Sequence, residues 1–568
     1  MPEPLEKLSR STRSSIPDKA GKSRGWLPDL PVFGLMLLIG LLYFVLPNHR
    51  YTSDALIAAL RMRDATPWFV HPNHILHPLG PQIIHQVAGG KALLINELEI
   101  LLVWSMIVGI LGCWAFVIML RLGSVSRTTA LAGLGFYAFS SAIWYFSVAA
   151  NPNATALAFH VFGLLAIVYA GTLPPAHLTL RMSVLLGAVI ALCIMASQIN
   201  AILILPLCYL FLIRSNGSAT KVRNMATGLV STGVLTIAIY ALIAVAFVRV
   251  RTPAEFLQWQ HSYVFDQRWW SQDIFDAISR IWVGAVSVPF TSAFYPAGLF
   301  GDWDVDPGKP VWYIRFFGRL GQAFVLAFFI VETVKAFLFF VRDRKLLTIQ
   351  AIGLITSIPL IIFSCFWTPE DVHYRIMYVP GFLMFLMPSI ERRYRLKEFR
   401  FRIAWPVIAA VFLLFILNLT MQFVPQSNPD NNPYNREINT LATLVDENTF
   451  IVFSGAEMGH IRSLYADYFL RCDVITVPNL IDFIRNDPEE IITSFTDCYA
   501  SGGQVLVHED AIVNDEDVRA MNELYDIDLR PGEVREFMES FSDIGRAAVH
   551  INAKRYYLLT PSENQEGD

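Results

Sequence analysis

Charge is what this sequence lacks. Only 16% of its 568 residues are Asp, Glu, Lys or Arg, against about 25% in soluble domains, which excludes an ordinary water-soluble chain. Cysteine is scarce as well. There are six, and no C-x-x-C, so the redox and zinc motifs built on that spacing are absent. No G-x-G-x-x-G follows a strand; Val452-Phe453-Ser454-Gly455 is too short to serve as a dinucleotide fingerprint. No internal repeat is visible, which argues against the paired halves of many transporters. No small-residue cleavage site follows the first apolar run and a long segment precedes it, so that run reads as a span rather than a removable signal.

What the chain has instead is eleven apolar stretches, at about 31–47, 93–120, 128–147, 153–171, 182–196, 198–213, 225–248, 320–341, 346–366, 374–389 and 403–424. Runs of ~20 apolar residues cross a bilayer as helices because each backbone polar group is then satisfied internally. The fifth and sixth are short and nearly continuous, reading either as a tight hairpin or as one broken element. Basic residues set the orientation. Lys7, Arg10, Arg13, Lys19, Lys22 and Arg24 precede the first span; Arg121 and Arg127, then Arg214, Lys221 and Arg223, fill short loops; Arg342, Arg344 and Lys345 follow span eight and Arg392 to Arg402 follow span ten. All fall on one side of an eleven-span chain, and the positive-inside rule assigns that side to the cytoplasm. The N-terminus is then cytoplasmic and the C-terminus extracytoplasmic, in a multi-pass protein of the cytoplasmic (inner) membrane.

The expected organisation is a basic cytoplasmic tail over 1–30, a transmembrane domain over 31–424 with outer loops 48–92 and 249–319, and an extracytoplasmic domain over 425–568. The last reads as a small α/β unit: the strands NTFIVFSG, DVITVP and QVLVHED alternate with helical stretches, the pattern of a largely parallel sheet. The fold class is thus an α-helical polytopic membrane protein of about eleven transmembrane helices with a small C-terminal α/β domain. Cys113, Cys193, Cys208 and Cys365 lie in spans and read as packing residues. Cys472 and Cys498 lie in the tail, either as buried thiols or as a bridge that an oxidising compartment would permit.

Polar chemistry is concentrated in the outer segments. Asp54 comes just after the first span; a carboxylate there suits a general base or a metal ligand, and equally Ser53 or Asp54 suits the N-cap of the helix that follows. Asp64 is a weaker duplicate. His71, His74 and His77 recur every third residue but are interrupted by Pro72 and Pro78, with no carboxylate in the cluster. Lining a substrate cleft and structural roles at the lipid boundary both fit them better than metal ligation. Within and between the spans, polar groups are functional candidates by default: Glu97 and Glu99, the turn bearing Trp144, Asn151, Asn153 and His160, and the turn bearing Gln198 and Asn200 all open on Asp54's side. Trp269, Trp270 and Trp282 read as interface anchors, and Asp302, Asp304 and Asp306 as an incomplete calcium-loop fragment. Arg375, with His373 beside it, is a cation suited either to a lipid-linked phosphate or to pairing with Glu370 or Asp371. No metal site is read; a divalent cation is the one cofactor left open.

These features resemble the GT-C class of polytopic membrane glycosyltransferases, including the bacterial relatives of protein mannosyltransferases, family 39 among them. In that class an acidic residue follows the first span, as Asp54 does here. Phe139-Ser140-Ser141-Ala142-Ile143-Trp144 is similar to an F-S-x-x-x-W at the outer end of span three, and Asn151 stands where a glutamate often follows. Glu370-Asp371-Val372-His373-Tyr374-Arg375 resembles an E-R-Y-x-x-P neighbourhood, with Arg375 and Pro380 displaced. The resemblance covers roughly 30–424. It implies transfer of a sugar from a polyprenyl-phosphate donor to a glycan, lipid or protein acceptor at the outer face, with Asp54 as base and His71, His74, His77, Asn151, Gln198 and Arg375 around the substrates. It implies no nucleic-acid partner. The competing readings are a lipid or solute transporter or flippase, and a non-catalytic envelope protein whose outer domain binds a partner.

Overall fold

The computed structural model describes residues 30–64, 70–87, 96–261, 275, 312–343, 348–366, 375–396, 401–455, 457–470, 472–486, 488–512, 518–519, 521–522, 528–530, 532–551 and 554–561. The basic tail 1–29, Trp269, Trp270, Trp282, Asp302, Asp304 and Asp306, and the stretch 367–374 with Glu370, Asp371 and His373, lie outside the described residues.

Helix α1 (Leu30–Val45) is followed by two helices within the stretch expected as the first loop, α2 (Ser53–Arg63) and α3 (Leu76–Val87). Helix α4 (Glu97–Leu122) opens with a capping box: the Asn96 side chain accepts from Glu99 N–H, and the Glu99 carboxylate returns the bond to Asn96 N–H. The stretch expected as span three is two helices, α5 (Arg127–Ala138) and α6 (Ser141–Ser147). The break is held from outside, since Asn418 Nδ2 donates to the Phe139 carbonyl at 2.7 Å and Ser141 Oγ donates to Gln422 Oε1 at 2.6 Å. Helix α7 (Pro152–Thr172) starts with proline at its first position, where no N–H is missed. The paired short stretches resolve as α8 (Leu180–Ala196) and, after a tight 3₁₀ segment at Gln198–Leu203, α9 (Ile204–Arg214). They form a reversal hinged on Asn200, whose amide donates to the Cys193 and Ala156 carbonyls at 2.9 and 3.1 Å.

Helices α10 (Ser218–Ile243), α11 (Pro253–His261), α12 (Trp312–Asp343), α13 (Thr348–Phe366), α14 (Tyr378–Tyr394) and α15 (Phe401–Asn418) follow. Among the described residues six helices are long and apolar enough to cross a membrane: those at Glu97–Leu122, Pro152–Thr172, Ser218–Val248, Gly318–Arg342, Thr348–Phe366 and Ala404–Gln426. Shorter apolar helices lie at Leu30–Val45, Leu180–Ala196 and Gln198–Arg214. Small residues set how closely they meet, as expected where lipid removes the hydrophobic drive for association. A Cβ on Gly187 of α8 would come within 2.7 Å of the Gly228 carbonyl of α10. Outward faces carry exposed Leu37, Leu41, Val230, Val234, Ile237 and Leu338, a lipid-facing composition.

Past the last span, α16 (Pro433–Leu441) leads into the sheet-bearing region. Strands β1 (Phe450–Phe453), β2 (Asp473–Thr476) and β3 (Val505–His508) are parallel and joined through α17 (Glu457–Leu470), α18 (Val477–Asn486) and α19 (Pro488–Ala500). These are the three expected strands. The sheet then gains an antiparallel hairpin after α20 (Glu533–Phe541): β4 (Ser542–Ile551) and β5 (Lys554–Pro561). The order is β2-β1-β3-β5-β4, so the sheet is mixed rather than largely parallel.

The sheet separates two cores. On one face Ile451, Phe453, Leu506 and Tyr556 join Leu56 and Ala59 of α2, Leu98 and Leu101 of α4, and Tyr465 of α17. On the other, Val452, Val505 and Val507 pack under α18, α19 and α20. Cys472 belongs to the first core and Cys498 packs against the second. Both are free thiols, and Cys498 Sγ instead donates to the Asn448 carbonyl at 2.9 Å. A bridge between them would have to pass through the sheet.

Candidate functional site

Asp54 lies in the first turn of α2 and is exposed. It does not cap the helix, and neither does Ser53. The N-cap is Thr52, whose hydroxyl accepts from Ala55 N–H at 3.4 Å. A carboxylate in the first turn and Arg61 and Arg63 in the last both complement the helix dipole.

The strap leading into Asp54 is gripped on both sides. On the membrane side Asn48 N–H donates to the Val148 carbonyl at 2.8 Å and His49 N–H to the Gln426 carbonyl at 3.3 Å. On the sheet side Asn432 Nδ2 donates to the His49 carbonyl at 3.0 Å, and Tyr51 N–H donates to Tyr465 Oη at 2.8 Å. The far end of α2 is fixed too. Arg63 donates to the carbonyl and carboxylate of Asp467 at 3.0 and 3.1 Å, while Tyr468 Oη bonds Glu97 at 3.0 Å. Asp64 pairs with Arg63 at 3.1 Å and remains exposed.

His71 and His74 face each other with ring centroids 5.6 Å apart. Burial, then the neighbouring His74, push His71 down to about 4, against the pull of the Asp54 carboxylate. That pull puts Asp54 and His71 in one electrostatic neighbourhood. Asn73 N–H donates to His71 Nδ1 at 3.2 Å, so the neutral ring carries its proton on Nε2. His77 parts from the other two. It sits in the first turn of α3, buried, with Nδ1 3.1 Å from Thr155 Oγ1, and burial pushes it down to about 3. Trp104 Nε1 donates to the same hydroxyl at 2.9 Å. The helix brings His77 there because Gly80 lets Trp104 in: a Cβ on Gly80 would lie 2.6 Å from the indole.

Gln198 holds the histidine strap from the opposite side. Its backbone N–H donates to the Asn73 carbonyl and its side-chain amide to the Pro72 carbonyl, each at 3.3 Å, and Tyr240 Oη reaches the same Pro72 carbonyl at 2.8 Å. Asn151 is the N-cap of α7. Its Oδ1 accepts from Asn153 at 2.9 Å, and its Nδ2 points to Thr52 Oγ1 at 3.5 Å, two residues before Asp54. Arg375 is 2% exposed, beside Cys365 and Tyr378 at the facing ends of α13 and α14. The structure therefore brings Asn151 to the Asp54 strap through Thr52, Gln198 to the histidine strap through Pro72 and Asn73, turns His77 inward to Thr155, and buries Arg375. Among the described residues no group of three His, Cys, Asp or Glu side chains is set to hold a metal ion.

Sequence reasoning missed Thr52, Trp104, Thr155, Tyr240, Asn432 and Tyr465. Thr155 and Trp104 had a weak signal, as polar or indole groups at the outer ends of apolar runs. Tyr465 and Asn432 had none, because their partner strap lies 414 and 383 residues away.

No protein-family model matches the chain, and no curated protein matches it in sequence. Solved structures do match it in shape. ArnT from Cupriavidus metallidurans in the apo state is similar with a TM-score of 0.53 and 12% identity, over 93% of this chain and 97% of that one. ArnT bound to undecaprenyl phosphate is similar at 0.52 and 12%, over 94% and 98%. The archaeal oligosaccharyltransferase AglB from Archaeoglobus fulgidus is a looser likeness, at 0.45 and 11% over 94% and 75%. The chain thus shares, along nearly its whole length, the overall fold of these ArnT structures.

Proposed function

We propose that this protein transfers a sugar from a polyprenyl-phosphate donor to an acceptor hydroxyl at the outer face of the membrane, with Asp54 as general base. The observation that carries the reading is Asp54 itself: an exposed carboxylate just beyond the first apolar helix, on a strap pinned by both the helical bundle and the sheet region. A base must reach the proton it takes in a bound pose, and a strap fixed from two sides limits how far Asp54 can wander. The capture of undecaprenyl phosphate by ArnT, a protein of this fold, supports a polyprenyl phosphate as the donor's lipid.

In the proposed step the acceptor oxygen attacks the anomeric carbon as its proton passes to Asp54. The bond from that carbon to the lipid phosphate oxygen breaks, and the lipid monophosphate leaves. One displacement inverts the anomeric carbon. His71, through its Nε2–H, and His74 donate to the sugar or phosphate, Asn151 and Gln198 fix the strap geometry, and Arg375 is the cation for the lipid phosphate. The proposal keeps eleven spans, a cytoplasmic N-terminus, a membrane domain over 31–424 and an outer domain over 425–568 in an inner membrane. A divalent cation is an optional aid to the leaving phosphate.

The experiment is transfer in proteoliposomes from a panel of labelled polyprenyl-phosphate sugars, comparing the intact chain with Asp54→Asn. Loss of a general base lowers turnover by ~100-fold or more. Near-normal transfer by the variant would remove Asp54 from the mechanism.

A further inference from the structure

In an open α/β sheet, ligands settle in the crevice beyond the carboxyl ends of two neighbouring parallel strands, where the winding of the chain reverses. Here it reverses between β1 and β3. The chain leaves β1 for β2 on one side, then crosses to β3 on the other. The rings of Phe453, at the end of β1, and His508, at the end of β3, stand 5.8 Å apart there. What reaches them is part of this same chain: the carboxylate of Glu437 on α16, 5% exposed.

Both oxygens of that carboxylate are met. Oε1 accepts from Tyr556 Oη of β5 and lies 3.8 Å from His508 Nε2. The neutral imidazole carries its proton on Nε2, because Nδ1 accepts from Asp510 N–H at 3.2 Å. Oε2 accepts from Arg462 Nε of α17 at 3.2 Å. Arg462 also donates to Asp510 at 3.2 Å, but Lys554 shares that duty, 3.5 Å from Asp510 and 3.6 Å from Glu509. The guanidinium charge is thus left to answer Glu437. Phenol, imidazole and guanidinium from three elements converge on one anion, which is the donor set of a carboxylate site.

We propose that the ends of β1 and β3, with α17 and β5, form a carboxylate receptor whose resident ligand is Glu437, and that this internal ligand fixes the strap bearing Asp54. The link runs along two helices. Asn432 and Glu437 are the N-cap and a core-facing residue of α16, while Arg462 and Tyr465 sit one turn apart on α17. The Glu437–Arg462 pair and the Asn432–Tyr465 bond therefore staple the same two helices together. Between the staples Arg462 lies over the Tyr434 ring at 5.9 Å, and Tyr434 stacks on Tyr465 at 5.3 Å. Asn432 and Tyr465 in turn hold the backbone of His49 and Tyr51. An emptied receptor leaves Arg462 buried without its full countercharge, a strongly destabilising state, and releases Tyr465 from its place beneath the strap.

The test uses the full chain in lipid nanodiscs and refills the receptor from outside. Glu437→Ala removes one methylene and the carboxylate, which together have the size of acetate. Sodium acetate then replaces sodium chloride at constant ionic strength, with acetamide as the neutral isostere. The readouts are the thermal unfolding midpoint and hydrogen exchange at Tyr51 N–H. Glu437→Ala lowers the midpoint and speeds that exchange by about 10-fold or more, the loss of a charge-assisted hydrogen bond. Acetate reverses both changes saturably, as linkage requires of a ligand held by the folded state. Acetamide does not, and the intact chain, its receptor filled, does not respond. Adding Arg462→Gln to Glu437→Ala abolishes the reversal. Glu437→Gln keeps the shape and so carries the test if Glu437→Ala fails to fold: it speeds Tyr51 exchange, and acetate, finding no room, leaves it fast. No reversal by acetate, equal reversal by acetamide, reversal that survives the loss of Arg462, or native Tyr51 exchange in Glu437→Gln overturns the proposal. Neither readout requires transfer, so a wrong assignment of Asp54 as base leaves both unmoved.

Discussion

The hydroxyl of Tyr465 and the backbone of Tyr51 form a closed set of bonds across 414 residues of sequence. Tyr465 Oη accepts from Tyr51 N–H at 2.8 Å and from Asn432 Nδ2 at 3.0 Å, and its own proton points to the Tyr51 carbonyl at 3.5 Å. A phenol has one donor and two acceptor sites, and all are used. Replacing Tyr465 by Phe keeps the ring packing but leaves two buried donors without a partner, at ~1–3 kcal/mol each. Turnover falls while KM for the donor lipid holds, because the strap bearing Asp54 loses its fixed position. Hydrogen exchange over residues 48–56 rises in parallel. Unchanged exchange with lowered turnover would assign Tyr465 another role.

Capping separates two neighbouring residues that sequence reading treats alike. Thr52→Ala removes the N-cap of α2 and lowers local stability by about 1 kcal/mol. Asp54→Asn loses only a first-turn charge, ~0.3–1 kcal/mol at low salt, so its folding and membrane insertion survive. Local hydrogen exchange across Leu56–Leu60 in the two variants reads the difference directly.

Acid should loosen the sheet region before it loosens the bundle. His508 at the end of β3 is fully buried, and burial, then Arg462 and Lys554, push it down to about 3, with Asp510 pulling the other way. Around it Arg462 bonds Glu437 and Asp510 at 3.2 Å each, and Tyr556 donates to Glu437. Because the native ring stays neutral while the unfolded one protonates near 6.5, the unfolded state binds more protons between those values. Stability is therefore full above about pH 6.5 and falls as pH drops toward 3, by at most ~1.4 kcal/mol per unit. His508→Gln flattens this slope. Thermal unfolding followed from pH 7.5 to 4.5 in both proteins checks it.

Thiol labelling distinguishes the two tail cysteines. Without reductant, Cys498, partly exposed on α19, reacts first, and Cys472, buried in the other core, reacts only on unfolding. Adding reductant changes neither. A reductant-dependent gain of two thiols would revive the bridge.

The approach of α8 to α10 depends on having no side chain at Gly187. Gly187→Val drives a Cβ onto the Gly228 carbonyl at 2.7 Å and should destabilise by ~1–3 kcal/mol, seen as a lowered midpoint in detergent. Gly233, with open space around it, tolerates the same change.

The apolar stretches were legible because lipid imposes one rule on every span. Their interruptions were less so: the split at Phe139–Ser140 depends on Asn418 and Gln422, far along the chain. The parallel strands announced themselves as short apolar runs between helices. The β4–β5 hairpin did not, since SDIGRAAVHI carries charge and alanine where an alternating apolar pattern would show. At the site, Asp54 and the histidines stood out by chemistry. What holds them, Tyr465, Asn432 and Tyr240, did not, because each acts through a hydrogen bond to a distant backbone.

The shared core of α2 and α17 has a consequence in time. Ribosomes add about 5–20 residues per second, and 414 residues separate Tyr51 from Tyr465. The strap and the apolar face of α2 thus wait about 20–80 s before their partner has been synthesised. During that interval Leu56, Ala59 and Met62, all buried in the finished protein, have Leu98 and Leu101 of α4 to pack against but not Tyr465 or the sheet. The Asp54 strap is thus among the first segments made and among the last to reach its working shape.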